Sequence, residues 1–150
     1  GDGPFSPERT GTLPVGALIR LCYSGKYSMK EVLKMNKGEG GLVAYLGTNS
    51  AYEVEKRMMA GDLEARQVNE AMAYQVSKEI GSMYAVLKGE VDAILITGGV
   101  AHSKWFVNQI SERVHKMAPV HTYPGEDEMR ALAFNGLRVI KGETEVKVYT

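Results

Sequence analysis

Three groups of residues have types and spacing that could do chemistry. The first is ILITGGVAHS, residues 94–103, which runs from a β-rich stretch through Gly98-Gly99 into a helix start. A strand ending in two glycines lets backbone approach a ligand at the carboxyl end of a sheet, and the helix N-terminus that follows favours an anion. A nucleotide or phosphate is the natural occupant, although the same glycine pair could serve a tight turn alone. Neither a P-loop nor a full dinucleotide fingerprint occurs in the chain. The second group is YPGEDEM, residues 123–129, where Glu126, Asp127 and Glu128 sit at a strand end and in the first turn of a helix. Hard oxygen ligands of that type suit magnesium bound through water, with substrate phosphates completing its shell. Acidic residues in a first turn also complement the helix dipole and need no ligand. The third is Arg9, carried on the Gly- and Pro-rich run GDGPFSPERTG with Asp2 and Glu8 nearby. A guanidinium held there could clamp a transferring phosphoryl group, or it could be a solvated loop arginine.

The remaining reactive side chains say less. His102 adjoins the glycine pair and could touch a nucleotide, whereas His115 and His121 show no metal-ligand spacing. Cys22 falls on the apolar face of its helix and reads as an inert buried thiol. No Ser–His–Asp or Cys–His set is evident, and phosphoryl transfer would not require one.

These residues must be positioned by a single α/β domain. The chain has 150 residues, 44% hydrophobic and 24% charged, with 18 basic against 18 acidic groups. That is enough apolar material for one core. A formal net charge of zero leaves no overall basic footprint for nucleic acid. The longest apolar stretches, such as Val91–Ile96, fall far short of the roughly 20 residues that span a bilayer. The lone cysteine excludes an internal disulfide and a multi-cysteine zinc site, so a cytoplasmic protein fits. Opening at Gly1 inside a turn-rich run, the chain reads as a piece of a longer protein.

The first thirteen residues read as loop, with a short strand possible at Phe5 and backbone amides free to face a ligand. Helices are expected from Pro14 to Gly25 and from the Ser28 cap, where Glu31 completes a capping box, to near Gly38. The cluster Gly38–Gly41 reads as a flexible joint, and residues 42–50 are ambiguous between strand and short helix. Ala51–Ala60 reads as a helix. Asp62 then caps the longest one, residues 63–88, with Val68, Met72, Val76, Ile80, Tyr84 and Leu87 forming its apolar stripe. Val91–Thr97 suits a strand buried on both faces, followed by a helix over 102–117 and a second strand at Val120–Tyr123. A last helix, Asp127–Lys141, should turn Met129, Leu132, Ala133, Leu137 and Ile140 inward, and the charged tail from Gly142 reads as loose. Two strands do not make a parallel sheet, so further strands are expected from outside these residues.

Four segments in order across nearly the whole chain, GDGPFSPERTGTLP, GGLVAYLGTNS, DAILITGGVAHS and APVHTYPGEDEMRALA, closely resemble the C-terminal half of butyrate kinases. These belong with acetate kinases in the sugar kinase, heat-shock protein 70 and actin superfamily. The resemblance implies a ribonuclease H-like (actin-like ATPase) α/β domain, here partial and helix-rich with a small, mostly parallel sheet. It implies that residues 1–150 are the C-terminal nucleotide-binding domain of a two-domain kinase whose N-terminal domain is absent from this chain. The implied reaction is reversible phosphorylation of butyrate, or a related short or branched carboxylate, by ATP to give an acyl phosphate.

Residue by residue, the run 1–11 with Gly3 looks like the second-domain phosphate loop, and Arg9 matches the arginine that stabilises the phosphoryl group in flight. Gly98 and Gly99 match the adenosine motif, with Ala101, His102 and Ser103 bordering the nucleotide. Thr48, Asn49 and Ser50, within Thr48–Tyr52, would face adenine and ribose. Glu126, Asp127 and Glu128 match the acidic helix start near magnesium. One departure stands out: where an acid–small–Arg pattern is expected after Thr-Asn, this chain has Ser50-Ala51-Tyr52. That removes a carboxylate and a cation from the nucleotide wall. Partners implied are nucleotide (ATP/ADP), a short carboxylate, the missing domain and, through an exposed sheet edge, further copies of the chain in a homo-oligomer. Two alternatives stay open: a noncatalytic α/β assembly module, and a kinase of another short carboxylate such as acetate.

Overall fold

The computed structural model describes residues 2–125 and 127–146. Along the chain come α1 (Val15–Cys22), α2 (Met29–Asn36), α3 (Gly41–Leu46), α4 (Ala51–Met59), α5 (Leu63–Val86), β1 (Ile94–Gly98), a 3₁₀ turn (Gly99–His102), α6 (Lys104–Val114), β2 (Val120–Pro124) and α7 (Glu128–Ile140). The two strands pair in parallel, in register from Ile94 opposite Val120 to Gly98 opposite Pro124. Because α6 connects them, both strands end on the same edge, where a βαβ unit places its ligands.

Side chains at helix starts fix where most helices begin. Ser28 accepts the Glu31 amide while Glu31 returns a bond to the Ser28 backbone, completing the expected capping box. Ser50, Asp62 and Ser103 each accept the amide three residues on. Such caps satisfy donors that the first helical turn leaves unpaired. The core then gathers on α5, which packs against α4 and α6. Leu42, Val54, Met72, Ile110 and Val114 are its fully buried large side chains, and Ile94 and Ile96 bring β1 into it.

The structure resolves one ambiguity and corrects several expectations. Residues 42–50 hold a helix, α3, ended by Gly47 at φ 74°. The joint before it is packed rather than flexible, since a Cβ on Gly41 would stand 1.7 Å from the Ser6 carbonyl oxygen. No strand forms at Phe5; instead Arg9 bridges Lys37 in antiparallel fashion. The first strand starts at Ile94 and is half-buried, with Leu95 62% exposed between Ile94 and Ile96. One face of the sheet is covered, not two. The helix expected over 102–117 is split by Ser103 into the 3₁₀ turn and α6.

Leu87 is exposed at the end of the α5 stripe. α7 forms where expected, yet buries none of its residues, and Met129, Leu132, Leu137 and Ile140 are all exposed. Cys22 is exposed as well, because α1 and α2 bury nothing and their apolar sides line an open groove of about 640 Å³ that includes Leu18, Leu21, Val32 and Met35. The chain turns back on α7 through the Gly142 and Glu143 amides, so the tail is not loose at its start; residues 147–150 lie outside the described residues. No helix among the described residues is long and apolar enough to cross a membrane.

Candidate functional site

The loop carrying Arg9 is held from both sides. Phe5 is buried, and its amide donates to Gln75 Oε1 on α5 at 3.0 Å. The carbonyls of Ser6 and Pro7 accept the Leu42 and Val43 amides, so this loop caps the first turn of α3. Glu8's carbonyl accepts the Gly38 and Gly40 amides, and Thr12 donates to Gly3 O at 2.8 Å to close the loop on itself. The amides of Phe5, Ser6, Thr10 and Thr12 are therefore already engaged, contrary to the expectation that this loop's amides are free. Gly3, at φ 78°, faces open space. Arg9 is exposed, and among the described residues it makes no ion pair.

The segment Thr48–Ser50 is fixed by the first turn of α4. Glu53 donates its amide to Ser50 Oγ, and its carboxylate accepts the Thr48 hydroxyl at 2.7 Å. Thr48 Oγ1 in turn accepts the Ser50 amide. Ser50, which stands where the resemblance expects an acid, thus still caps the helix, a role either side chain can fill. Between these anchors, Asn49 Nδ2 reaches Glu8 Oε1 of the Arg9 loop at 2.6 Å. Tyr52 is exposed, and the Lys56 ammonium lies 5.3 Å from its ring centroid.

At the end of β1, Gly98 adopts φ 85° and ψ −175°, a conformation essentially confined to glycine. A Cβ there would meet nothing within 4 Å, so its backbone is open to approach. Gly99 begins the 3₁₀ turn, Ala101 is buried beneath it, His102 is exposed, and Ser103 caps α6 through the Phe106 amide at 3.1 Å. Ala51 of α4 shares a crevice with Val100 and Ser103, which joins the α4 start to the β1 end. Gly98 O accepts the Gly125 amide at 3.2 Å, and His102 Nε2 lies 3.8 Å from where a Gly125 Cβ would stand.

Beyond Gly125 the acidic turn begins. Glu126 lies outside the described residues. Asp127 occupies the cap position of α7 without a side-chain cap bond and meets Arg130 at 3.6 Å, both well exposed. An exposed pair of this kind adds little stability. Glu128 is in the first turn. Among the described residues no three His, Cys, Asp or Glu side chains gather as a metal cage. Two adjacent carboxylates do fit magnesium, which keeps most of its waters and needs only one or two protein carboxylates beside phosphate.

Successive contacts therefore join the segments singled out in the sequence: the Arg9 loop to Asn49, the α4 start to Val100 and Ser103, and Gly98 to Gly125. This is a rim along the carboxyl edge of the parallel strands, lined by backbone, hydroxyls and one cation. His115 and His121 stay apart from it: His115 Nδ1 faces the Ser111 and Glu112 carbonyls, and His121 lies in the β2 ladder opposite Leu95. The sequence reading missed Gln75, Glu53 and the side chain of Glu8. Only Glu53 carried a signal, the Ser-x-x-Glu capping spacing from Ser50.

A family model described as the acetokinase family matches residues 3–149. Butyrate kinase 2 of Clostridium acetobutylicum is 52% identical over 149 residues, covering 99% of this chain and 42% of that protein. Probable butyrate kinase 2 of Caldanaerobacter subterraneus subsp. tengcongensis is 55% identical over 147 residues, 98% of this chain and again 42% of the relative. The chain thus spans less than half the length of these curated relatives. Among solved structures, acetate kinase of Porphyromonas gingivalis superposes with a TM-score of 0.78 at 16% identity, over 92% of this chain and 41% of that one. A propionate kinase of Francisella tularensis subsp. tularensis gives 0.75 at 19% identity, over 85% and 39%. At such low identity the likeness establishes the fold, a helix-rich part of an actin-like ATPase domain with a small parallel sheet.

Proposed function

From the premise that the chain belongs to the acetokinase family, we propose that it is the C-terminal, nucleotide-binding domain of a two-domain short-chain carboxylate kinase. The substrate would be butyrate or a close relative. In the reaction, a carboxylate oxygen bonds to the γ-phosphorus of ATP while the bond to the β,γ-bridging oxygen breaks, giving an acyl phosphate and ADP. What carries the reading is the rim itself: residues from four separated segments meet at the carboxyl edge of the strands, joined by the Asn49–Glu8 bond and the Gly98–Gly125 bond.

Each residue then has a physical task. Gly98 and Gly99 let the nucleotide approach bare backbone, and Ala101, His102 and Ser103 border it. Thr48, Asn49 and Ser50 present a wall stiffened by Glu53. Arg9 offsets charge on the phosphoryl oxygens as the bond to ADP lengthens. Asp127, Glu128 and Glu126 would hold magnesium through water, and the ion would supply charge neutralisation at the phosphates. The carboxylate pocket is assigned to the N-terminal domain, so this chain alone is expected not to turn over. Butyrate is favoured over acetate because relatives more than half identical across the chain carry the butyrate kinase name.

The outer edge of β1, which pairs with no further strand among the described residues, and the exposed apolar sides of α1, α2 and α7 support association into a homo-oligomer. Light scattering that shows a clean monomer would contradict it. The catalytic assignment is tested in the two-domain kinase by Arg9→Ala. Expected is a fall in kcat of about 10²–10³ with melting temperature unchanged; near-normal turnover would sink the role given to Arg9.

A further inference from the structure

Glu8 has no role in the reading above, yet it joins two stiff parts of the rim. Its main-chain carbonyl is held by the Gly38 and Gly40 amides, at 2.8 and 3.2 Å. Its side chain accepts from Asn49 Nδ2 at 2.6 Å across 41 positions of sequence. Asn49 is aimed by its neighbours, because Thr48 and Ser50 are both tied to Glu53 in the first turn of α4. The partner of this bond is therefore set on one side by the α2–α3 joint and on the other by α4. Arg9 follows Glu8 directly.

We infer that Glu8 is a positioning residue: through its hydrogen bond to Asn49 it holds the Arg9 loop in register with the start of α4, which forms the nucleotide wall. This inference rests on the functional reading above for its catalytic consequence, but the link itself does not. A carboxylate accepting from an amide makes a charge-assisted bond, stronger than a neutral pair yet weakened here by exposure. Losing it should loosen the loop without unfolding the core. Turnover should then suffer more than nucleotide affinity, since Arg9 acts on charge that develops only as the phosphoryl group moves.

Two measurements test this. Hydrogen exchange on the chain as it stands should be several-fold faster at the Thr10, Gly38 and Gly40 amides in Glu8→Ala, and close to wild type in Glu8→Gln, which keeps an acceptor for Asn49. In the two-domain kinase, Glu8→Ala should lower kcat about tenfold with KM for ADP within about twofold, and Glu8→Gln should restore most of it. Asn49→Asp sets two carboxylates face to face and should be worse than Glu8→Ala. Adding Glu8→Gln to it reverses donor and acceptor and should recover the slow exchange of the loop amides. Unchanged loop exchange in Glu8→Ala, or no recovery in the double variant, would overturn the link. Altered exchange with a kcat that ignores Glu8→Ala would overturn the positioning role. If Arg9→Ala itself retained turnover while exchange still followed Glu8, the failure would lie with the functional reading and the link would stand.

Discussion

α5 and α7 both carry apolar residues at the spacing of a core helix, and they end up in opposite environments. α5 buries Ala65, Asn69, Met72, Ala73 and Ser77 between α4 and α6. α7 buries nothing, and its Met129 and Ile140 are 81% and 83% exposed. The period of a pattern says that a helix has a face to cover; it does not say that the cover is in the same chain. The same division runs through the site. Its glycine and hydroxyl part stands on the packed elements α3 to α6 and β1, whereas its acidic part begins α7, and α1 and α2 beside the Arg9 loop bury no residue fully.

This contrast can be broken at its strongest point first. Gly41→Ala would drive a Cβ into the Ser6 carbonyl at 1.7 Å, at a residue whose φ is 58°. The joint between the Arg9 loop and α3 should fail, with a loss on the order of 4 kcal/mol or more in the unfolding free energy from denaturant titration. Met72→Ala on α5 should cost about 2–5 kcal/mol, since the side chain is 2% exposed and leaves a cavity. Leu132→Ala on α7 should cost within about 0.5 kcal/mol, because the side chain is already 67% exposed. Equal losses for these two would mean that the helices do not differ in the way described.

The smallest effect belongs to a cap. Asp62 holds its carboxyl below the ordinary carboxylate value, first because it accepts the Ala65 amide and then through the Arg57 guanidinium at 2.8 Å. A depressed value in the folded state stabilises fully above the unfolded value of about 4 and is lost as pH falls through the lower folded one. Asp62→Asn should therefore lower stability slightly near neutrality, where the contribution is fully present, and flatten the acid side of the stability profile. A steeper acid limb in the variant would reverse the sign assigned to this group.

How far the sequence revealed all this depended on whether the cause was local. Capping by Ser28 and Asp62 was legible because a cap needs only the residue and the amide three places on. Gly98 was legible because two glycines after a β run announce an unusual turn, and its φ of 85° bears that out. The packed contact of Gly41 on Ser6 was not legible, since it arises between segments 35 positions apart, and a cluster of glycines looks the same whether it flexes or packs. For the same reason β1 looked like a fully buried strand: an apolar run does not disclose that Leu95 faces outward. Cys22 was misplaced because its helix face was assumed to find a partner. The Glu8–Asn49 bond had no pattern at all to announce it.

Nucleotide binding at the carboxyl edge of the strands can be measured by titrating the 150-residue chain with ADP, with and without magnesium. Heat and amide chemical shifts would be followed together. Saturable one-site binding that tightens with magnesium is expected, with shifts concentrated at Thr48–Ser50 and Gly98–Ser103. Saturable binding that moves other amides, or no binding at millimolar ADP with magnesium present, would contradict it.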